Sequence, residues 1–199
     1  MPVLLLLFAV LLLPQRPLSA QWRLAISAGT AATSGHARDA ADPEQAAILP
    51  DHPVSWLLAL ARQRGSWRVG IDGSRITSDL AIRGSSTSLV TRGALSAWGL
   101  GFEASRRLAG HAAAPSLWAG VGAVYERWSF DIAGGDARWR ASGRASLQLD
   151  APLSRRWSAL VRGEALAGAS LFRVEELPEG YTRRASQRAG LLLGVSRRW

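Results

Sequence analysis

Residues 138–150 alternate without a break. Trp139, Ala141, Gly143, Ala145, Leu147 and Leu149 are apolar or small, and Arg138, Arg140, Ser142, Arg144, Ser146, Gln148 and Asp150 fill the intervening positions. A strand sends successive side chains to opposite faces, whereas a helix would scatter this set around its circumference, so the stretch is a strand with one apolar and one polar face. The same period recurs along the chain. Trp22, Leu24, Ile26 and Ala28 alternate with Arg23, Ala25, Ser27 and Gly29; Trp56, Leu58 and Leu60 share a face; Trp67, Val69 and Ile71 alternate with Arg68, Gly70 and Asp72. Further strands are expected near 93–103, 117–130, 157–167 and 186–199, giving eight in all, separated by Gly, Pro, Ser and Asp punctuation. Ile76 breaks the phase of the third strand and Trp118 falls on the polar face of the fifth, so parity is open at both, and a bulge would account for either.

The connections alternate in length and charge. Those at 32–52, 80–91, 131–137 and 168–185, together with Asp79, hold Asp39, Asp42, Glu44, Asp51, Asp131, Asp136, Glu175, Glu176 and Glu179. The others are marked by arginine pairs: Arg62 with Arg64, Arg106 with Arg107, Arg155 with Arg156, and Arg197 with Arg198 near the end. An up-and-down meander puts the two sets at opposite ends of the fold. Within the first long connection, Asp42-Pro43-Glu44-Gln45 carries an N-cap, a proline at the first helical position and Gln at the third, which predicts a short helix. No stretch after Ala20 approaches the apolar length of a transmembrane helix. Before it, residues 3–13 form an apolar run too short to span a bilayer, followed by Pro14, Pro17 and the small residues Ser19 and Ala20. This is the pattern of a secretory leader, so residues 1–20 are expected to be a signal peptide and residues 21–199 the folded domain.

An exported, eight-stranded chain with no cysteine, apolar on one strand face and polar on the other, resembles the small outer-membrane β-barrels of Gram-negative bacteria, with the architecture of the OmpA membrane domain and OmpX. The resemblance covers the whole of residues 21–199 and is architectural. Its most specific element is the C-terminus, where Leu191, Leu193, Val195 and Trp199 alternate up to a terminal aromatic residue, similar to the recognition strand offered to the barrel-assembly machinery; Arg197 departs from that pattern. The resemblance implies an all-β fold, an eight-stranded antiparallel up-and-down transmembrane β-barrel, located in the outer membrane. It implies outer-membrane lipids and the assembly machinery as partners, an extracellular ligand at the long loops, and a monomer.

Physical chemistry points the same way. Lipid leaves no backbone polar group unsatisfied, and strands meet that demand only in a closed barrel; about 9–11 tilted residues suffice to cross. Trp22, Trp67, Trp157 and Trp199 fall at the arginine-rich ends and Trp56, Trp128 and Trp139 near the acidic ends, as two interfacial girdles would require. The alternative is a soluble barrel of lipocalin or streptavidin type, with the apolar face inward and nine tryptophans crowding a small lumen.

The absence of cysteine removes disulfides, Cys-ligated metals and thiol nucleophiles. The net charge of +9, carried entirely by arginine on the basic side, does not collect into one patch with stacking aromatics, so nucleic acid is not expected as a partner. Catalysis is not expected either. His36 and His52 lie in the first long connection and His111 in a turn, and Ser34-Gly35-His36 is only a reversed echo of the His/Ser spacing of one lipid A deacylase family. Glu175, Glu176 and Glu179 form no calcium loop and are read first as a solvated charged loop; with Phe172 and Tyr181 beside them, the loop is also the best place on the chain for a partner to bind, and neither cofactor nor metal is expected. Gly99, Gly101, Gly120 and Gly122 are strand glycines that make room for interior neighbours.

On the polar face of successive strands lie Glu126, Arg140, Arg144, Arg162, Glu164 and Arg188. Folding the strands about their connections brings Glu126 toward Arg140 and Arg144, and Glu164 between Arg144 and Arg188. An eight-stranded barrel has a lumen that side chains fill. These charges are therefore expected to form an interior network that closes it. The functional expectation is a structural or adhesive barrel that binds through its extracellular loops; a narrow channel and a lipid A acyl-modifying enzyme are the alternatives.

Overall fold

The structure, a computed structural model, describes residues 21–39, 47–83, 88–111, 114–130, 137–173, 177 and 181–199. The leader-like segment 1–20, the helix expected at Asp42–Gln45 and the acids Glu175, Glu176 and Glu179 lie outside the described residues. Eight strands follow in order: β1 (Gln21–Asp39), β2 (Ala47–Arg64), β3 (Trp67–Arg83), β4 (Ser88–Ala109), β5 (Ser116–Phe130), β6 (Arg138–Pro152), β7 (Trp157–Gly168) and β8 (Tyr181–Arg198). Each pairs antiparallel with its sequence neighbours, and β1 pairs with β8, so the sheet closes on itself. Gln21, Trp199 and the β2–β3, β4–β5 and β6–β7 turns lie together at what we call the near end. Gly65, at φ 61°, makes the tight β2–β3 turn there. At the seam, Trp199 and Trp22 exchange backbone hydrogen bonds of 3.2 and 3.1 Å.

The period-two pattern sorts the side chains as the sequence suggests. Ile26, Leu58, Val69, Ile71, Leu100, Phe102, Val121, Leu147, Leu191 and Leu193 are all exposed on the outer wall. Arg23, Arg68, Asp72, Glu126, Arg144, Asp150 and Arg162 are buried inside it. An apolar exterior over a charged interior inverts the arrangement of a soluble barrel and fits one solvated by lipid.

Several sequence expectations are corrected. Ile76 is in phase with inward Asp72 and Ser78 and sits 1% exposed, without a bulge. It is part of an apolar cluster with Leu95, Ala97, Trp128 and Leu171 that fills the far end of the lumen. Trp118 is likewise in phase and inward; the irregularity nearby belongs to β4, between Arg107 and Ala109. Trp128, placed by the sequence reading in an outer girdle, faces the lumen at 3% exposure, and Trp98, which that reading omitted, is 60% exposed on the wall. Parity, not proximity to the acidic end, decides between them.

The far-end hairpins are also longer than expected, since pairing runs on through residues first read as connections. Register shifts between Thr30 and Ala37, Asp51 and Val54, and Ser78 and Leu80 absorb the turn-forming residues. In β2, Pro50 and Pro53 flank His52, whose φ is 47°. Proline cannot donate to the ladder and is tolerated in strands at such bulges. Side-chain hydroxyls supply bonds there: Thr30 Oγ1 donates to the Pro53 carbonyl at 3.1 Å and Ser78 Oγ to that of Asp51 at 2.9 Å.

Candidate functional site

The interior charges stack in three tiers. Nearest the chain ends, Asp150 on β6 accepts from both terminal nitrogens of Arg23 on β1, the Nη2 bond being 2.6 Å, from Arg68 Nη2 on β3 at 2.9 Å and from Gln148 Nε2 at 2.7 Å. Arg23 Nη2 also donates to Ser196 Oγ at 2.5 Å. The Arg68 guanidinium lies 3.9 Å from the centre of the Trp118 ring, which places a cation on an aromatic face and closes the near end.

In the middle tier Arg144 on β6 reaches across the lumen to Asp72 on β3, with bonds of 3.0 and 2.5 Å, and its Nε lies 3.2 Å from Glu103 on β4. Arg162 on β7 grips Glu103 through both terminal nitrogens, the Nη1 bond being 3.1 Å, and its Nε lies 3.4 Å from Glu164. Such forked arginine–carboxylate pairs are the strong ones. In the far tier Arg188 on β8 binds Glu126 on β5 at 2.5 Å, and Trp128 Nε1 donates to the same carboxylate at 3.1 Å. Arg140 donates from Nε to the Ser170 carbonyl at 2.7 Å.

The glycines explain why there is room. A β-carbon on Gly101 would lie 2.8 Å from the Asp72 carboxyl carbon, and one on Gly120 would lie 2.7 Å from Glu103 Oε1. The inner faces of β4 and β5 are thus bare where the carboxylates stand. Five carboxylates (Asp72, Glu103, Glu126, Asp150, Glu164) meet five arginines (Arg23, Arg68, Arg144, Arg162, Arg188), so this network is neutral and the chain's positive charge resides elsewhere. A cavity between the near and middle tiers measures about 40 Å³, and two others, at the far end and at the near mouth, about 20 and 10 Å³, each with room for isolated water molecules. A larger hollow of about 620 Å³ is lined chiefly by the outward alanines Ala145, Ala165, Ala167 and Ala189, so it belongs to the outer wall rather than to the lumen.

The six residues singled out in the sequence all turn inward, but their partners differ from those expected. Glu126 stands directly opposite Arg140 in the β5–β6 register, yet its ion pair is with Arg188 across the lumen. Arg144 pairs with Asp72 and Glu103, and Glu164 faces Arg162 two residues earlier on its own strand. The sequence reading considered neighbouring strands only; in a lumen this narrow, long arginines reach non-adjacent ones. Arg23, Arg68, Asp72, Glu103 and Asp150 were missed as partners. The signal was present for Arg23, Arg68, Asp72 and Asp150, which already fell on polar faces. Leu191, Leu193, Val195 and Trp199 all face outward, at 54, 60, 40 and 39% exposure. His52 is exposed, with Nε2 3.7 Å from Asp51, and His111 is exposed in the β4–β5 turn.

No protein-family model and no curated protein matches the sequence. Solved structures do match in shape. Neisserial surface protein A is 12% identical with a TM-score of 0.59, over 89% of this chain and 97% of that one. The outer-membrane protein OprG of Pseudomonas aeruginosa is 10% identical with a TM-score of 0.58, over 90% and 95%. The N-terminal β-barrel domain of OprF from the same organism is 7% identical with a TM-score of 0.52, over 89% and 97%. Closed sheet, apolar wall, charged lumen and these likenesses together establish the fold: an eight-stranded antiparallel β-barrel of the Gram-negative outer-membrane type.

Proposed function

We propose that this chain is a monomeric, non-catalytic outer-membrane barrel with a sealed lumen, serving a structural or adhesive role through its far-end hairpins. The near end, with its short turns and arginine pairs, faces the periplasm; the longer, more acidic connections face outward, as in other barrels of even strand number. The observation that carries this reading is the filled lumen. Three tiers of ion pairs, capped by Trp118 at one end and by Ile76, Leu95 and Trp128 at the other, leave no continuous aqueous path among the described residues. The purified barrel in planar bilayers should show no steady open state. A stable large conductance would replace this reading with that of a channel.

Residues 1–20 act in this proposal as a leader removed after Ala20, and Leu191, Leu193, Val195 and Trp199 as the strand recognised during assembly. Trp199 also has a structural task, since its backbone closes the β1–β8 seam. Deleting it should lower the yield of the heat-modifiable, membrane-inserted band, which should begin at Gln21. Unchanged insertion, or a mature protein that begins at Met1, would refute the respective assignment.

A further inference from the structure

One row of cross-strand partners on the outer wall has an unusual composition. Trp56 on β2 pairs with Arg75 on β3, Arg75 with Trp98 on β4, Trp98 with Arg127 on β5, and Arg127 with Trp139 on β6. All five side chains are exposed, the tryptophans at 57, 60 and 51%. The Arg75 guanidinium lies 4.8 Å from the Trp98 ring centre, and Tyr125 stacks on Trp139 at 4.8 Å.

The row marks a boundary. On its near side the next outward residues of these strands are Leu58, Gly73 with Ile71 beyond it, Leu100, Tyr125 and Ala141; on its far side they are Thr77, Ser96 and Ser129 on β3 to β5, with Val54 the apolar exception on β2. Tryptophan favours the interface between hydrocarbon and headgroups, and arginine can extend its charge from that depth into the headgroup layer. Yet Asp72, Glu103, Glu126, Asp150 and Glu164 turn into the lumen, Asp79 farther along β3 accepts the Gly93 N–H at 2.7 Å, and among the described residues neither Arg75 nor Arg127 makes an ion pair. Two guanidiniums without a carboxylate partner among the described residues therefore stand in register between tryptophans at the far edge of the apolar band, Arg75 lying over the Trp98 ring. They stand two strands apart, about 10 Å.

We propose that this Trp–Arg belt is a docking face for a lipid of the outer leaflet whose headgroup carries two phosphates, Arg75 and Arg127 each binding one. The planar fork of arginine matches phosphate oxygens in pairs, and the flanking rings support the sugar or glycerol body of the headgroup. The inference rests on the outer-membrane orientation proposed above, because only that places the belt in the outer leaflet.

The test uses the full barrel refolded into phosphatidylcholine vesicles containing bisphosphorylated lipid A, its monophosphoryl form or phosphatidylglycerol at matched charge. Thermal unfolding and tryptophan emission are the readouts. The bisphosphorylated lipid should raise the unfolding midpoint most, with a blue shift in emission. The double variant Arg75→Gln/Arg127→Gln should fold normally but need roughly tenfold more lipid, or more, for the same shift, as expected for the loss of charge-assisted hydrogen bonds. Arg106→Gln/Arg197→Gln, at the near-end girdle, should respond like the parent. Equal responses of parent and belt variant, or an equal gain from phosphatidylglycerol, would overturn the belt proposal. A parent barrel that does not insert into any vesicle would overturn the membrane reading together with it.

Discussion

Asp150→Ala should cost the barrel about 3–5 kcal/mol of stability, the range for stranding a buried charge. Asp150 is 3% exposed and ion-pairs with two arginines at once, Arg23 and Arg68, neither of which makes a second ion pair among the described residues. Rotating away is blocked for Arg68 by the Trp118 ring beneath it. Glu164→Ala should cost much less, because Arg162 keeps its forked bond to Glu103 when the 3.4 Å contact to Glu164 is lost. Urea titration of both variants in vesicles, followed by tryptophan fluorescence, gives the comparison. Equal midpoints would mean that the near-end tier is hydrated well enough to tolerate free arginine.

An even smaller change should have a comparable effect at the seam. A β-carbon on Gly29 would sit 2.7 Å from the Leu192 Cα and 2.8 Å from the Leu191 carbonyl carbon, both backbone atoms of the paired strand β8. Backbone cannot swing aside as a side chain can, so Gly29→Ala must push β1 and β8 apart along the closure. Overpacking alone costs about 1–3 kcal/mol, and loosened ladder bonds add to it. Gly73→Ala is the control. Nothing stands within 4 Å of its β-carbon, and the lost backbone freedom of the unfolded chain should leave that variant neutral or up to about 1 kcal/mol more stable. If both variants unfold at the same denaturant concentration, the close approach at Gly29 does not constrain the seam.

Strand number, closure and the facing of the regularly alternating residues were readable because period two is a local signal: Trp139, Ala141 and Leu147 announce one face regardless of what lies opposite. Where the reading failed, the cause was nonlocal. Ile76 and Trp118 looked out of phase only because a lumen was assumed to be polar throughout, whereas its ends are closed by apolar and aromatic side chains. The far-end hairpins were cut short near His52, Leu80 and Gly93, which mark register shifts and φ values of 47° and 63° here rather than strand ends. The charged residues of the lumen could be listed from parity, but their pairing could not. Which arginine meets which carboxylate depends on barrel diameter and shear, and neither is written in any one strand. The Trp–Arg belt lay equally out of reach, since it appears only once five strands are aligned in register.

The pairing across the lumen has a kinetic corollary. Arg23–Asp150 joins β1 to β6, Arg68–Asp150 and Arg144–Asp72 join β3 to β6, Arg162–Glu103 joins β4 to β7, and Arg188–Glu126 joins β5 to β8. No hairpin carries one of these cross-lumen pairs within itself; of the interior ion pairs only Arg162–Glu164, at 3.4 Å along β7, lies inside one. A single hairpin entering lipid would bring bare charges with it, and so would an arc of a few strands. Insertion one hairpin at a time is therefore uphill until opposite walls face each other. The incomplete sheet must stay wet or sheltered until then, and the final curling of the wall, β1 to β8, should be an all-or-none event in which neutralisation and exclusion of water happen together.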